Sequence, residues 1–169
     1  MRKPIIIANW KMYKTRAEAA SFCDAFLPLI ADVQDVDTVI CAPFTQLDVL
    51  QQKLSGTAVA YGAQNFYPAA EGAFTGEVGL PMLQELGVQY VIIGHSEQRK
   101  YHPEDDANLI NKVRAVLVAG IQPILCVGES TAERSQGIEL EYAIHQVSKV
   151  TRDLSDEEVS QLIIAYEPL

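Results

Sequence analysis

The chain has 169 residues, 49% of them hydrophobic and 21% charged, with a formal net charge of −9. This composition is typical of a soluble globular protein with an ample core. The acidic balance argues against a nucleic acid or an anionic membrane as partner, because both require a basic face. The widely spaced cysteines Cys23, Cys41 and Cys126 suggest buried thiols in a reducing compartment. With no secretory signal or membrane-spanning stretch, the cytoplasm is the expected location.

Six short runs rich in Val and Ile predict the strands of a parallel sheet that is covered on both faces. They begin at Ile5, Thr38, Ala58, Tyr90, Ile121 and Leu162.

Segments between these runs predict five helices. They span residues 15–30 with Thr15 as N-cap, 46–54, 81–86, 103–120, and 130–154 with a weak point at Gly137. The fourth begins with Pro103 and three acidic residues and ends at Gly120. The order β(αβ)₅ indicates an α/β fold with right-handed crossovers. Two architectures compete, and length alone favours a doubly wound open sheet over a (β/α)₈ barrel, which normally has about 250 residues.

Polar side chains follow three of the predicted strands. They are Asn9 and Lys11 after the first strand, His95, Ser96 and Glu97 after the fourth, and Glu167 after the sixth. Both competing architectures place their sites where the carboxyl ends of the strands meet. No Gly-rich phosphate loop of the GxGxxG or Walker type occurs in the sequence, so a nucleotide-binding fold loses its main support.

Each of these residues also has an ordinary structural explanation. Lys11 and Glu167 could be solvated rim charges, which is the commonest fate of these residue types. His95 could simply begin a helix, and Cys126 is better explained as a small core residue than as a nucleophile. Together on one face, however, an amide, an ammonium, an imidazole and a carboxylate are more than a core requires. We therefore expect a functional site at this end of the sheet.

Six motifs in the chain are similar to those of the triosephosphate isomerase family, in the same order and at the same spacing. They are ANWKMYKT from Ala8, GAQN from Gly62, GAFTGEVG from Gly72, GHSEQRKYH from Gly94, CVGES from Cys126 and AYEP from Ala165. The resemblance covers the chain from end to end. It implies a TIM (β/α)₈ barrel and replaces the preference for an open sheet.

The resemblance also implies a reaction, the interconversion of dihydroxyacetone phosphate and D-glyceraldehyde 3-phosphate in glycolysis and gluconeogenesis, with neither cofactor nor metal. Glu167 would be the general base that takes a proton beside the substrate carbonyl, and His95 would polarise that carbonyl. Lys11 and Asn9 would bind substrate and stabilise the enediolate. The supporting positions would be Ser96, Glu97 and Cys126.

A homodimer is implied as well. The long connection Asn65 to Gly79 corresponds to the family's loop that enters a pocket of a second subunit, with Thr75 and Glu77 at its tip. Gln98 stands where the family usually has arginine, which would weaken the interface region without altering the chemistry.

The resemblance predicts one incomplete barrel domain over residues 1–169, without the seventh and eighth strands and with Leu169 where valine is usual. Such a chain should have little activity alone and should self-associate through open strand edges. Two alternatives remain open. One is a Schiff-base aldolase that uses Lys11 as nucleophile, and the other is a non-catalytic open-sheet binding module.

Overall fold

The computed structural model describes residues 2–102 and 106–168. All six expected strands are present: β1 (Ile5–Asn9), β2 (Asp37–Ala42), β3 (Val59–Ala63), β4 (Tyr90–Ile93), β5 (Gln122–Val127) and β6 (Ile163–Tyr166). They form one parallel sheet whose spatial order is the order of the sequence. In a doubly wound sheet the first strand lies inside the sheet and the spatial order differs from the sequence order, so the observed order favours the barrel and corrects the preference based on length.

The sheet is curled, because inward-facing side chains from its first and last strands belong to one apolar cluster. The buried members of this inner cluster are Val39, Cys41, Ile92, Ile124 and Cys126, and Ile5, Ile7, Ala60, Tyr90, Ile163 and Ala165 pack against it. A second, larger cluster fills the space between the outer face of the sheet and the helices. At the base, Arg2 Nη1 donates to the Leu162 carbonyl at 2.9 Å and so joins the segment before β1 to the start of β6. The described chain thus forms the first six strands of a TIM barrel.

The helices alternate with the strands as the sequence predicts. Their bounds are α1 (Arg16–Phe26), α2 (Leu47–Leu54), α3 (Leu80–Glu85), α4 (Ser96–Tyr101), α5 (Asp106–Val118), α6 (Thr131–Gln136), α7 (Glu139–Thr151) and α8 (Asp156–Gln161), with 3₁₀ turns at Leu27–Ile30 and Phe44–Gln46. Thr15 caps α1 as expected, in a capping box with Glu18.

Three details differ from the sequence prediction. The expected helix over residues 130–154 is two helices, because Gly137 adopts a left-handed conformation (φ 71°) that ends α6. The short helices α4 and α8 were not among the five expected, since their residues, SEQRKY and DEEVSQ, are mostly polar and show no apolar stripe at helical spacing. The predicted helix start at Pro103 and the departure at Leu169 lie outside the described residues.

The expectation that every strand is covered on both faces was wrong for β1 and β6. Ile6 is 63% exposed and Ile164 is 43% exposed on the outer face of the sheet. Within the described residues, both strands have a neighbour on one side only. Across those same residues, no helix combines the length and apolar character needed to cross a membrane.

Candidate active site

The C-terminal ends of β1, β4 and β6 meet at one mouth of the curled sheet and bring four charged or polar groups together. His95 Nε2 lies 3.4 Å from Glu167 Oε1, and Lys11 Nζ lies 3.0 Å from Glu97 Oε1. A cleft of about 450 Å³ opens beside them and is lined by Asn9, Lys11, His95 and Glu97 among others. This volume is within the usual range of small-molecule sites.

His95 is the N-cap residue of α4 and is buried, with 8% of its surface exposed. Its Nδ1 accepts a hydrogen bond from the backbone N–H of Glu97 at 3.2 Å. An imidazole nitrogen that accepts a hydrogen bond carries a lone pair, so this hydrogen bond assigns the ring proton to Nε2. Nε2 is the nitrogen that faces Glu167, and the ring therefore presents a hydrogen-bond donor to the mouth of the barrel.

Lys11 is held in a strained backbone conformation. Its φ of 51° lies in the left-handed region, which residues with side chains seldom adopt. The Lys11 N–H donates to Asn9 Oδ1 at 2.9 Å, and Gln64 Nε2 donates to the Lys11 carbonyl at 3.0 Å. A hydrogen bond to Glu97, reinforced by the charge of that carboxylate, raises the pKa of the Lys11 ammonium above its ordinary value. Backbone strain like that of Lys11 often marks functional sites.

Gln64 is a site residue that the sequence analysis did not single out. Its Nε2 also reaches Asn9 Oδ1 at 3.2 Å and the Cys41 carbonyl at 3.1 Å, and so joins the ends of β1, β2 and β3. The motif GAQN, which contains Gln64, was the available signal. Asn9 belongs to this group through its side-chain oxygen and fixes the turn that carries Lys11.

Glu167 follows β6 and is anchored through both backbone and side chain. Its N–H donates to the Val127 carbonyl at 2.8 Å, which extends the pairing of β5 with β6 by one residue. Its Oε2 accepts from Ser96 Oγ at 2.8 Å. About a third of the side chain is exposed, so the carboxylate is accessible to solvent while remaining tethered.

A buried ion pair lies behind Glu167, on the outer side of the sheet. Glu129 has no exposed surface, and its carboxylate accepts hydrogen bonds from Arg134 Nε at 2.8 Å and from the Tyr166 hydroxyl at 2.9 Å. Burial opposes the charged form of Glu129. Hydrogen bonds from its own backbone N–H, from Arg134 and from Tyr166 outweigh burial and lower the pKa of the carboxyl. This cluster fixes the residue just before Glu167, and the sequence analysis missed it.

Comparison with known proteins identifies the family. The family model for triosephosphate isomerase matches residues 4–169. The chain belongs to this family. It is 49% identical over 174 residues to the triosephosphate isomerase of Bifidobacterium longum (strain DJO10A). The matched region covers 99% of this chain and 65% of that protein. The chain is also 49% identical to the triosephosphate isomerase of Picosynechococcus sp., over 100% of this chain and 69% of the relative. The chain therefore spans about two thirds of the length of these curated relatives.

Cys126, which the family resemblance placed among the supporting residues, lies in the inner cluster of the barrel and is 5% exposed. Burial, followed by the nearby charge of Glu167, raises the pKa of its thiol to about 12. A thiol with this pKa is protonated at neutral pH and is a poor nucleophile. The interpretation of Cys126 as a small core residue agrees with this environment. In the described part of the chain, no group of three His, Cys, Asp or Glu side chains is arranged to hold a metal ion.

The loop that the family resemblance assigned to an interface projects from the barrel. Its base is closed where the Tyr67 N–H donates to the Val78 carbonyl at 2.8 Å, and its tip turns where the Glu77 N–H donates to the Phe74 carbonyl at 3.0 Å. Thr75 and Glu77 are exposed at that tip. Gln98 lies at the foot of the loop, where its Oε1 accepts from Asn65 Nδ2 at 3.3 Å.

Proposed function

We propose that the protein is a triosephosphate isomerase that interconverts dihydroxyacetone phosphate and D-glyceraldehyde 3-phosphate through an enediolate. The observation that carries this proposal is the facing pair of Glu167 Oε1 and His95 Nε2, 3.4 Å apart, with His95 and the Lys11 ammonium lining one cleft. A carboxylate base, a neutral hydrogen-bond donor and a fixed cation are the three groups that proton transfer beside a carbonyl requires.

Each group has one role in the proposed reaction. Glu167 removes a proton from the carbon next to the substrate carbonyl and returns it to the neighbouring carbon, while the hydroxyl proton of the first carbon is lost and the former carbonyl oxygen gains one. His95 donates its Nε2 proton in a hydrogen bond to the carbonyl oxygen, where negative charge develops. Lys11 supplies positive charge to an anionic substrate in a protein whose net charge is −9. Asn9 and Glu97 hold Lys11 in place through the contacts described above.

The proposal requires Glu167 to move when substrate binds. Reacting atoms approach to about 3 Å on each side, so a substrate carbon between base and imidazole needs roughly 6 Å. The observed separation of 3.4 Å is too small for that. We infer that the Ser96 hydroxyl holds the carboxylate in a resting position, and that the side chain rotates away from Ser96 to reach the substrate.

The two alternatives from the sequence are not favoured. An aldolase needs the neutral amine of Lys11 as nucleophile, whereas Glu97 stabilises the ammonium and raises its pKa. A non-catalytic open sheet would not require strands in strict sequential order around a curled sheet, with these side chains at one mouth.

The test is exchange of the substrate proton with solvent. Dihydroxyacetone phosphate is incubated with the intact protein in D₂O, and deuterium incorporation and aldehyde formation are followed by NMR. Glu167→Gln and Glu167→Asp should lower turnover by about 10²–10⁴-fold with little change in KM, because a base acts in the transition state. His95→Gln should also slow turnover. Glu157→Gln, an exposed carboxyl on α8 at the far end of the sheet, serves as control. Near-normal turnover in Glu167→Gln would remove it as the base.

We further propose that the protein is a homodimer in the cytoplasm, with the loop Asn65 to Gly79 at the interface. Large apolar side chains are exposed around the cleft and at the loop, with Met12 93%, Tyr101 66% and Phe74 41% exposed. Such an exposed apolar surface is typical of an interaction site. A second subunit that inserts Thr75 and its neighbours near the cleft would cover it. The free cysteines Cys23, Cys41 and Cys126 are consistent with a reducing compartment.

A further inference from the structure

Gly128, the residue after β5, lies in direct contact with the peptide group of Glu167. A Cβ atom built on Gly128 would lie 2.8 Å from the carbonyl carbon of Glu167 and closer still to its oxygen. Real Cβ atoms do not approach backbone atoms this closely, so any side chain at position 128 would displace the Glu167 peptide. The absence of a side chain at Gly128 therefore determines how near the end of β6 can come to the end of β5.

Gly128 is held from the opposite side by a helix. Its backbone N–H donates to Gln146 Oε1 on α7 at 2.8 Å. Gln146 lines a small cavity of about 140 Å³ that also borders Ser96, Tyr142 and Glu167 and is separate from the substrate cleft. A continuous set of contacts thus runs from α7 through Gln146 and Gly128 to the backbone of Glu167.

We propose that Gln146 and Gly128 are positioning residues that fix the Glu167 peptide and thereby the direction of its carboxylate. The effect on catalysis rests on the proposed role of Glu167 as base. Neither residue lines the substrate cleft, and the close contact of Gly128 with the Glu167 peptide gives them a route to Glu167 through its backbone. A displacement of about 1 Å at a reacting group can cost about 100-fold in rate, which makes small shifts of this peptide measurable.

Two substitutions at Gln146 distinguish the effect of its hydrogen bond with the Gly128 N–H from the effect of its side-chain shape. Gln146→Leu removes the acceptor and leaves the Gly128 N–H unpaired, whereas Gln146→Glu keeps an acceptor oxygen in the same place. The matched control is Gln84→Leu, because Gln84 is an exposed helical glutamine whose Nε2 donates to the Ala119 carbonyl far from the site. Gly128→Ala tests the close contact itself.

In the intact protein, we expect Gln146→Leu to lower kcat at least 10-fold with KM within about 2-fold. Gln146→Glu should recover kcat to within about 3-fold of the parent, and Gln84→Leu should leave it unchanged. Gly128→Ala should lower kcat more than Gln146→Leu does. An unchanged kcat in Gln146→Leu, or equal losses in Gln146→Leu and Gln146→Glu, would overturn the proposal.

Amide hydrogen exchange gives a readout that does not depend on activity. The Glu167 N–H donates to the Val127 carbonyl, so displacement of this peptide should speed its exchange in Gln146→Leu while the amides of β4 keep their rates. If the parent protein shows no isomerase activity, the proposed function fails, but this measurement still tests the positioning. Unchanged exchange at Gly128 and Glu167 in Gln146→Leu would refute it even in an active enzyme.

Discussion

Replacing Gln64 with glutamate removes the N–H donors that hold three strand ends together. Gln64 Nε2 faces the Lys11 carbonyl at 3.0 Å, the Cys41 carbonyl at 3.1 Å and Asn9 Oδ1 at 3.2 Å. An amide nitrogen has two hydrogens, so at most two of these three contacts are strong at any time. A carboxylate has none and would face three acceptor oxygens.

The expected loss of stability follows from this count. Two hydrogen bonds contribute about 1 kcal/mol each, and acceptors left without a partner cost at least about 1 kcal/mol more. We therefore expect Gln64→Glu to lower the free energy of unfolding by about 3 kcal/mol at pH 7. This is a large fraction of the 5–15 kcal/mol that is typical of folded proteins. As the pH falls and the new carboxyl is protonated, it regains one O–H donor, and the difference from the parent should shrink.

The assay is urea unfolding followed by circular dichroism between pH 7 and pH 4.5. It is run at several protein concentrations, because dimer formation would make the apparent stability depend on concentration. Gln84→Glu is the matched control and should stay within about 0.5 kcal/mol of the parent, since Gln84 is exposed and donates to one carbonyl only. If Gln64→Glu unfolds at the same urea concentration as the parent at pH 7, Gln64 does not hold the strand ends together.

Three further predictions follow. Thr75→Arg should convert the proposed dimer to a monomer in analytical ultracentrifugation, because a charged side chain at the loop tip cannot be buried in a pocket; an unchanged dimer would contradict the interface. A polypeptide of residues 1–169 alone should self-associate and show essentially no isomerase turnover, with partial rescue by a peptide that carries the seventh and eighth βα units of a family member. Turnover near that of a complete isomerase would show that the expectation is wrong. Burial raises the pKa of Cys41 and Cys126 to about 12, so above about pH 9 the unfolded chain loses protons that the folded chain keeps. The free energy of unfolding should therefore fall between pH 9 and 12, by up to ~1.4 kcal/mol per pH unit for each thiol. In the double variant Cys41→Ala, Cys126→Ala this fall with pH should be shallower than in the parent. Equal slopes in the variant and the parent would refute the burial argument.

The strands and most helices could be predicted from the sequence because their signals are local. Runs of Val and Ile predict all six strands, and Thr15 as N-cap predicts the start of α1. Gly137 was recognised as a weak point, but whether a glycine bends a helix or ends it depends on its φ, which the sequence does not contain. Length alone favoured an open sheet, which was wrong, whereas the motifs shared with the family implied the barrel order of strands that the structure shows.

The supporting contacts of the site could not be predicted in the same way. Gln64 and Asn9 are 55 residues apart, and Tyr166 and Glu129 are 37 apart, so each pair meets only through the pairing of the strands that carry them. Glutamine and glutamate are common surface residues, and although Gln64 and Glu129 lie within the motifs GAQN and CVGES, those motifs do not say which groups the two side chains contact. The left-handed conformation of Lys11 is likewise a result of the surrounding hydrogen bonds. The roles of Lys11, His95 and Glu167 remain predictions that the proposed experiments test.

The ion pair of Lys11 with Glu97 limits what Lys11 can contribute to an anionic substrate. With the two charged atoms 3.0 Å apart, much of the positive charge of Lys11 is already balanced by Glu97. An ammonium has three N–H donors, so this contact leaves two that a substrate oxygen can use. Under the proposed mechanism, the pair would supply directed hydrogen bonds to the substrate in the cleft that His95 also lines, more than it would supply a net field. Because a preorganised donor needs no rearrangement at the moment of reaction, we infer that Glu97 supports catalysis by fixing the direction of the Lys11 ammonium, even though it lowers the net positive charge of the cleft.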